Sequence, residues 1–256
     1  MAKKILFVVE GERAETRMLI SMFEQALSLS SEQYDVCKYK TNIHNLYKKM
    51  KELGYDSFLS FLYSEHKEIF PKDMFTPETA FASVYLFFDL DPQDSLFSIE
   101  ETKELATYFN DETQNGKLYI SYPMVESVFD FASYRQGNYN KRTYEINMLS
   151  NHYKSSARLN SFLSIKYKTK SFRKIRNGDI YSICVLNMKK YAFLCNETFD
   201  IEWKAQYSPI KCFLSEMPFI KRGLVSILSC GVLLIPDYSV VLLEAVKKLR
   251  KSSKSK

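Results

Sequence analysis

Apolar residues along the first half of the chain switch between the period of a strand and that of a helix. Lys4 to Val9 (KILFVV) and Val84 to Phe88 (VYLFF) are short apolar runs rich in β-branched and aromatic residues, the pattern of buried strands. Lys117 to Tyr122, stopped by Pro123, reads as another strand, and Asp35 to Tyr39 as a weaker one. Helical spacing follows each of them. Met18, Met22 or Phe23, Ala26 and Leu29 mark one helix, and Ile43, Leu46, Met50 and Leu53 a second, with Asn42 as its N-cap. Further helices are expected over Tyr55 to Phe70, from about Ser95 with a Ser98–Glu101 capping box, and from Glu126, where Val125, Val128, Phe129 and Ala132 face the core. Strands alternating with helices predict an α/β fold: a parallel, Rossmann-like sheet of about four strands flanked by helices.

After about Phe131 the alternation fades into a mainly helical region, with Ile180, Cys184, Asn187, Tyr191 and Leu194 at helical spacing and closing helices near Phe219 to Cys230 and Tyr238 to Lys251. The expected organisation is an N-terminal α/β domain over 1–131, a mainly helical region over 132–246 and a basic tail over 247–256. An apolar stretch from Gly223 to Leu243 is interrupted by Pro236 and Asp237, which favours buried helices over a membrane span.

Charge changes this picture in one respect. The chain of 256 residues has 36 basic and 30 acidic side chains, and the tail carries six basic residues and no acid, so the body is neutral. Within the body, Ile146 to Gly178 has no acid. It interleaves Lys154, Arg158, Lys166, Lys168, Lys170, Arg173, Lys174 and Arg176 with Tyr153, Phe162, Tyr167 and Phe172. Such mixing suits phosphate contacts and base stacking, against the alternative of a solvated helix face. Five widely spaced cysteines without a C-x-x-C suit reduced thiols in a cytoplasmic protein, and the short apolar N-terminal run is not a signal peptide. There is no P-loop and no G-x-S-x-G, and the three histidines show no metal-ligand spacing.

The candidate chemistry is acidic. Glu10 ends the first strand, Asp89 and Asp91 end the strand Val84 to Phe88, and Glu126 follows the strand that Pro123 stops. Side chains alternate along a strand, so Asp89 and Asp91 are expected on one face. In a parallel sheet all four carboxylates lie near the carboxyl edge, where ligands bind. Crowded carboxylates repel, and a hard cation such as Mg²⁺ prefers oxygen ligands of this kind. The plainer alternative is that acids merely open a loop, with Asp94 capping the next helix.

A strand ending Glu10-Gly11, an acid at Glu15 and a later strand ending Asp89-Leu90-Asp91 resemble the Toprim domain of topoisomerases, bacterial primases, the M5 ribonuclease and nucleases of the overcoming-lysogenization-defect type. The EGERAE form is similar to small bacterial phage-defence proteins of the RloB group, as is Pro123-Met124-Val125-Glu126, although Tyr122 stands where that group has Asn and Ala14 where it has Thr. The resemblance covers about residues 3 to 131. It implies a Toprim sheet, a Mg²⁺ (or Mn²⁺) site and phosphodiester hydrolysis in RNA or DNA as an anti-phage nuclease. Glu10, Asp89 and Asp91 would be catalytic and metal-binding, and Asp94 and Glu126 candidates for a second metal. Lys166, Lys168, Lys170, Arg173, Lys174 and Arg176 would hold the nucleic acid. The alternative is a non-catalytic Toprim-like module that senses a phage product or a separately encoded ATPase.

Overall fold

The computed structural model describes residues 3–11, 14–133, 137–159, 161–167, 175–199 and 206–238. Its centre is a mostly parallel sheet in the order β2 (Tyr34–Tyr39), β1 (Ile5–Glu10), β3 (Ser83–Asp89), β5 (Gly116–Tyr122). These four strands run parallel, and the two-residue β4 (Asn110–Asp111) adds antiparallel beyond β5. Every residue of β3 and β5 is buried, as expected for strands covered on both faces. This matches the strand expectations, and the α/β, Rossmann-like class holds.

Helices α1 (Ala14–Leu27), α2 (Ile43–Glu52), α3 (Phe58–Glu65) and α4 (Ile99–Tyr108) connect the strands. Asn42 caps α2, its side chain accepting from the Asn45 N–H at 2.9 Å, and Ser98 caps α4, accepting from the Glu101 N–H. The expected helix over Tyr55 to Phe70 is only the shorter α3 plus a 3-10 turn at Lys67–Ile69. The helix expected from Glu126 is a single 3-10 stretch, Val125–Phe129.

The region after Phe131 is less separate from the sheet than the chain pattern suggests. A small ribbon forms from β6 (Thr143–Glu145) and β7 (Leu224–Ser226). A π-helical turn, Leu149–Tyr153, leads into α5 (Lys154–Leu159), and α6 (Phe162–Tyr167), α7 (Asn177–Leu194) and α8 (Pro209–Ile220) follow. In place of a helix from Phe219 to Cys230, α8 ends at Ile220, Gly223 takes φ +74°, and the β-branched run after it pairs as strands. One of these, β8 (Leu228–Ser229), joins β5 antiparallel and so extends the main sheet. The last described helix is α9 (Leu234–Tyr238); the helix expected over Tyr238 to Lys251 and the tail over 247–256 lie outside the described residues. Among the described residues, no helix is long and apolar enough to cross a membrane.

Aromatic packing and a buried ion pair bind this region to the sheet. Phe23, Phe87, Tyr119 and Tyr207 form a file of rings from α1 across β3 and β5 to the segment before α8, with centroids 5.2, 5.5 and 4.6 Å apart. Above that file Asp237 of α9 accepts from the Lys117 ammonium at 3.0 Å and the Tyr119 hydroxyl at 2.9 Å. Deeper still, Lys190 of α7 is fully buried, and its ammonium donates to the carbonyls of Tyr139 and Arg142 at 3.0 and 2.7 Å. Burial pushes Lys190 down to about 8, while Glu216 and Asp130 nearby favour its charge.

Asp237→Ala leaves Lys117 buried without its carboxylate and should cost about 3–5 kcal/mol. Breaking the exposed Lys51–Glu104 pair should cost under about 1 kcal/mol. Urea unfolding of the two variants checks this, and a small loss for Asp237→Ala would mean that α9 is not anchored by the pair.

Candidate metal centre

The chain leaves β1 to one side for β2 and returns on the other side for β3, so the sheet order reverses at β1. A crevice opens at the carboxyl ends of strands flanking such a reversal. Glu10 is the last residue of β1 and Asp89 the last of β3, which places both carboxylates at that crevice. Gly11 turns the chain out of β1 at φ +69°, its N–H donating to the Tyr39 carbonyl at 2.9 Å.

Asp91 reaches the same place by a different route from strand alternation. The strand ends at Asp89, and Asp91 sits at φ +45°, a left-handed conformation that Asp tolerates better than most residues. The turn is held from several sides. The Leu90 N–H donates to the Ser121 and Pro123 carbonyls at 3.0 and 3.1 Å, and the Asp91 N–H to Pro123 at 3.2 Å. From α2, buried His44 places Nε2 3.2 Å from the Leu90 carbonyl; since a carbonyl only accepts, Nε2 carries the proton. Phe97 packs edge-on against the imidazole at 5.8 Å. The sequence spacing gave no hint of this role, because it lies in a fold contact 46 positions apart along the chain.

Oxygens of Glu10, Asp89 and Asp91 all lie within 4.8 Å of one another. Asp89 is 5% exposed and accepts from the Val125 N–H at 2.7 Å, while its own N–H donates to Glu10 at 3.3 Å. A cavity of about 20 Å³, room for one water, adjoins Glu10 and Asp89, its wall completed by Ser121, Val125 and the apolar Leu19, Phe87 and Phe88. Burial, and then the charges of Glu10, Asp91 and Glu126, hold the Asp89 carboxyl well above the ordinary range, against the Val125 N–H, which lowers it. A proton or a cation relieves that crowding.

The donor set fits a hard cation. Three carboxylates offer oxygen ligands only, as Mg²⁺, Mn²⁺ and Ca²⁺ prefer.

The other candidate residues fall elsewhere. Asp94 serves the turn: Oδ1 accepts from the Leu96 N–H at 2.8 Å and Oδ2 from the Asn42 amide at 3.1 Å. Glu126 is 2% exposed and acts on Asp89 through its charge, but stands outside the trio; Arg158 and Lys154 of α5 approach its Oε1 at 3.5 and 3.9 Å. Lys166 is bound to Asp179 at 2.7 Å, a link that also takes in the Tyr167 hydroxyl. Arg176 is exposed at the N-cap of α7. Lys168, Lys170, Arg173 and Lys174 lie outside the described residues, as does the side chain of Glu15.

No family model, no curated protein and no solved structure matches this chain.

Asp89→Asn keeps an oxygen for the Val125 N–H and removes one charge from the crowd. In EDTA at pH 7 it should be more stable than the wild type. An acid whose folded pKa is raised binds its proton more tightly in the folded state. The stability it contributes is present below the ordinary 3.8 and is lost as pH rises toward the raised folded value. Metal-free melts from pH 4 to 8 should therefore fall more steeply for the wild type than for Asp89→Asn. A variant less stable than the wild type at pH 7 would make Asp89 a structural cap.

Proposed function

We propose that this protein is a metal-dependent phosphodiesterase of the Toprim type, a nuclease that hydrolyses RNA or DNA with Mg²⁺ or Mn²⁺ at Glu10, Asp89 and Asp91. The observation that carries this reading is three carboxylates from two adjacent parallel strands and one turn, with oxygens within 4.8 Å at the crevice where the sheet order reverses. A bound divalent ion would supply charge neutralisation at the phosphate and an acidified water.

The chain's own residues divide the remaining work. Asp89, fixed by the Val125 N–H, and Asp91, fixed by the turn pinned to Pro123, are rigid donors whose place does not depend on a flexible loop. Glu10, less buried than Asp89, can take the proton of the attacking water. The water oxygen bonds to phosphorus, the phosphorus–oxygen bond to the leaving nucleotide breaks, and the leaving oxygen is protonated from solvent. The anti-phage setting belongs to the same proposal, through the sequence resemblance, whereas a separately encoded ATPase partner belongs to the alternative of a non-catalytic sensing module.

Calorimetric titration should show Mg²⁺ or Mn²⁺ binding that is lost in Asp89→Asn and Asp91→Asn. Cleavage of mixed RNA and DNA oligonucleotides should require that metal and drop at least about 100-fold in Glu10→Gln, Asp89→Asn and Asp91→Asn. Metal binding without cleavage of any oligonucleotide would favour a binding module, and no metal binding would remove the reading.

A further inference from the structure

Glu126 presents an unusual balance. It is 2% exposed, yet its Oε1 is approached by two cations that are themselves 48% and 41% exposed, Lys154 and Arg158. Its Oε2 is buried and has no hydrogen-bond partner among the described residues. Lys154 and Arg158 stand four residues apart on α5, so both project from one side of that helix toward the same carboxylate. The Val125 N–H donates to Asp89 at 2.7 Å and Glu126 is the next residue of the same 3-10 turn, which puts this ion cluster beside the metal centre rather than at a distance from it.

A groove leads to the same helical side. It is lined by Pro92 and Gln93, just after Asp91, by Asn147 and Ser150, and by one acid and one cation, Glu145 and Arg222, with a volume of about 810 Å³. The π-helical turn that contains Ser150 leads directly into α5, so the groove ends beside the helix that carries both cations. A strand lying in the groove would bring an anionic backbone from Gln93 past Ser150 to Lys154 and Arg158.

We infer that Lys154 and Arg158 are a phosphate clamp beside the carboxylate trio, with Glu126 as the internal anion that holds the clamp in shape until a substrate phosphodiester displaces it. Within the basic stretch from Lys154 to Arg176 this picks out the two cations of α5; of Lys166 and Arg176, the described residues of its later part, Lys166 is bound to Asp179. The inference deepens the proposed nuclease reading and rests on it for the substrate class. A guanidinium and an ammonium suit a phosphodiester: Arg forms two parallel bonds to its oxygens and Lys adds a point charge. Glu126 competes with the substrate for both cations, so its removal should favour binding.

The test reads binding without cleavage, by anisotropy of fluorescein-labelled oligouridylate and oligothymidylate in EDTA at several salt concentrations. Glu126→Gln should tighten binding several-fold. Adding Lys154→Gln and Arg158→Gln to that variant should weaken it at least tenfold and lower the slope of log affinity against log salt by about 1.4, two single-strand contacts. Starting from Glu126→Gln keeps the comparison free of an uncompensated buried charge, so all three proteins should fold. Unchanged affinity and slope in the triple variant, or weaker binding in Glu126→Gln, would overturn the clamp. Mn²⁺ calorimetry on the same proteins separates the two ideas. Mn²⁺ bound at the trio with no effect of the α5 changes sinks the clamp alone. Oligonucleotide binding that follows the α5 changes with no Mn²⁺ bound sustains the clamp and sinks the metal reading.

Discussion

A carboxylate removed from water needs a proton, a cation or donated hydrogen bonds, and Asp89 is almost completely removed from water with two other carboxylates within 4.8 Å. That requirement organises everything around it. The Val125 N–H supplies one donor, the turn after β5 supplies the carbonyls that pin Leu90 and Asp91, and His44 braces Leu90 from the opposite side. Each of these contacts fixes negative charge where it is least comfortable. A protein gains nothing in stability from such an arrangement, which is why we read it as preparation for a ligand.

The sheet itself was legible because buried parallel strands are short apolar runs, and Val84 to Phe88 is the plainest of them. The convergence of Glu10 and Asp89 was legible for the same reason, since both end strands that run the same way. Asp91 was placed correctly for a reason that does not operate: a left-handed turn, rather than strand alternation, brings it to the trio. Asp94 illustrates the limit of composition, because an Asp that accepts from a backbone N–H two residues on looks in sequence like any other acid near a site. His44 illustrates another limit, since a contact across 46 positions leaves no local pattern. The apolar stretch after Gly223 could be a helix or strands, and its pairing with β5 and β6 decides it.

The second half of the chain is built around compensation of a different kind. Lys190 lies fully buried among backbone carbonyls with Asp130 and Glu216 close by, and burial raises both of those acids. Charges of both signs there offset one another without solvent, whereas the trio at the crevice has charges of one sign. The contrast separates a buried network that holds helices together from one that waits for a counter-ion.

Lys117 and Asp237 stand 120 positions apart, and their pairing with Tyr119 closes one side of the sheet that carries the carboxylates. Synthesis runs from the amino end, so a growing chain presents Glu10, Asp89 and Asp91 to the cell long before Asp237 has been made. Until then β5 lacks both the carboxylate for its lysine and the antiparallel partner β8. The contacts that align the three carboxylates all come from residues before Asp130, so a chain interrupted before α9 keeps the ligands and their immediate holders but leaves Lys117 of β5 without its carboxylate.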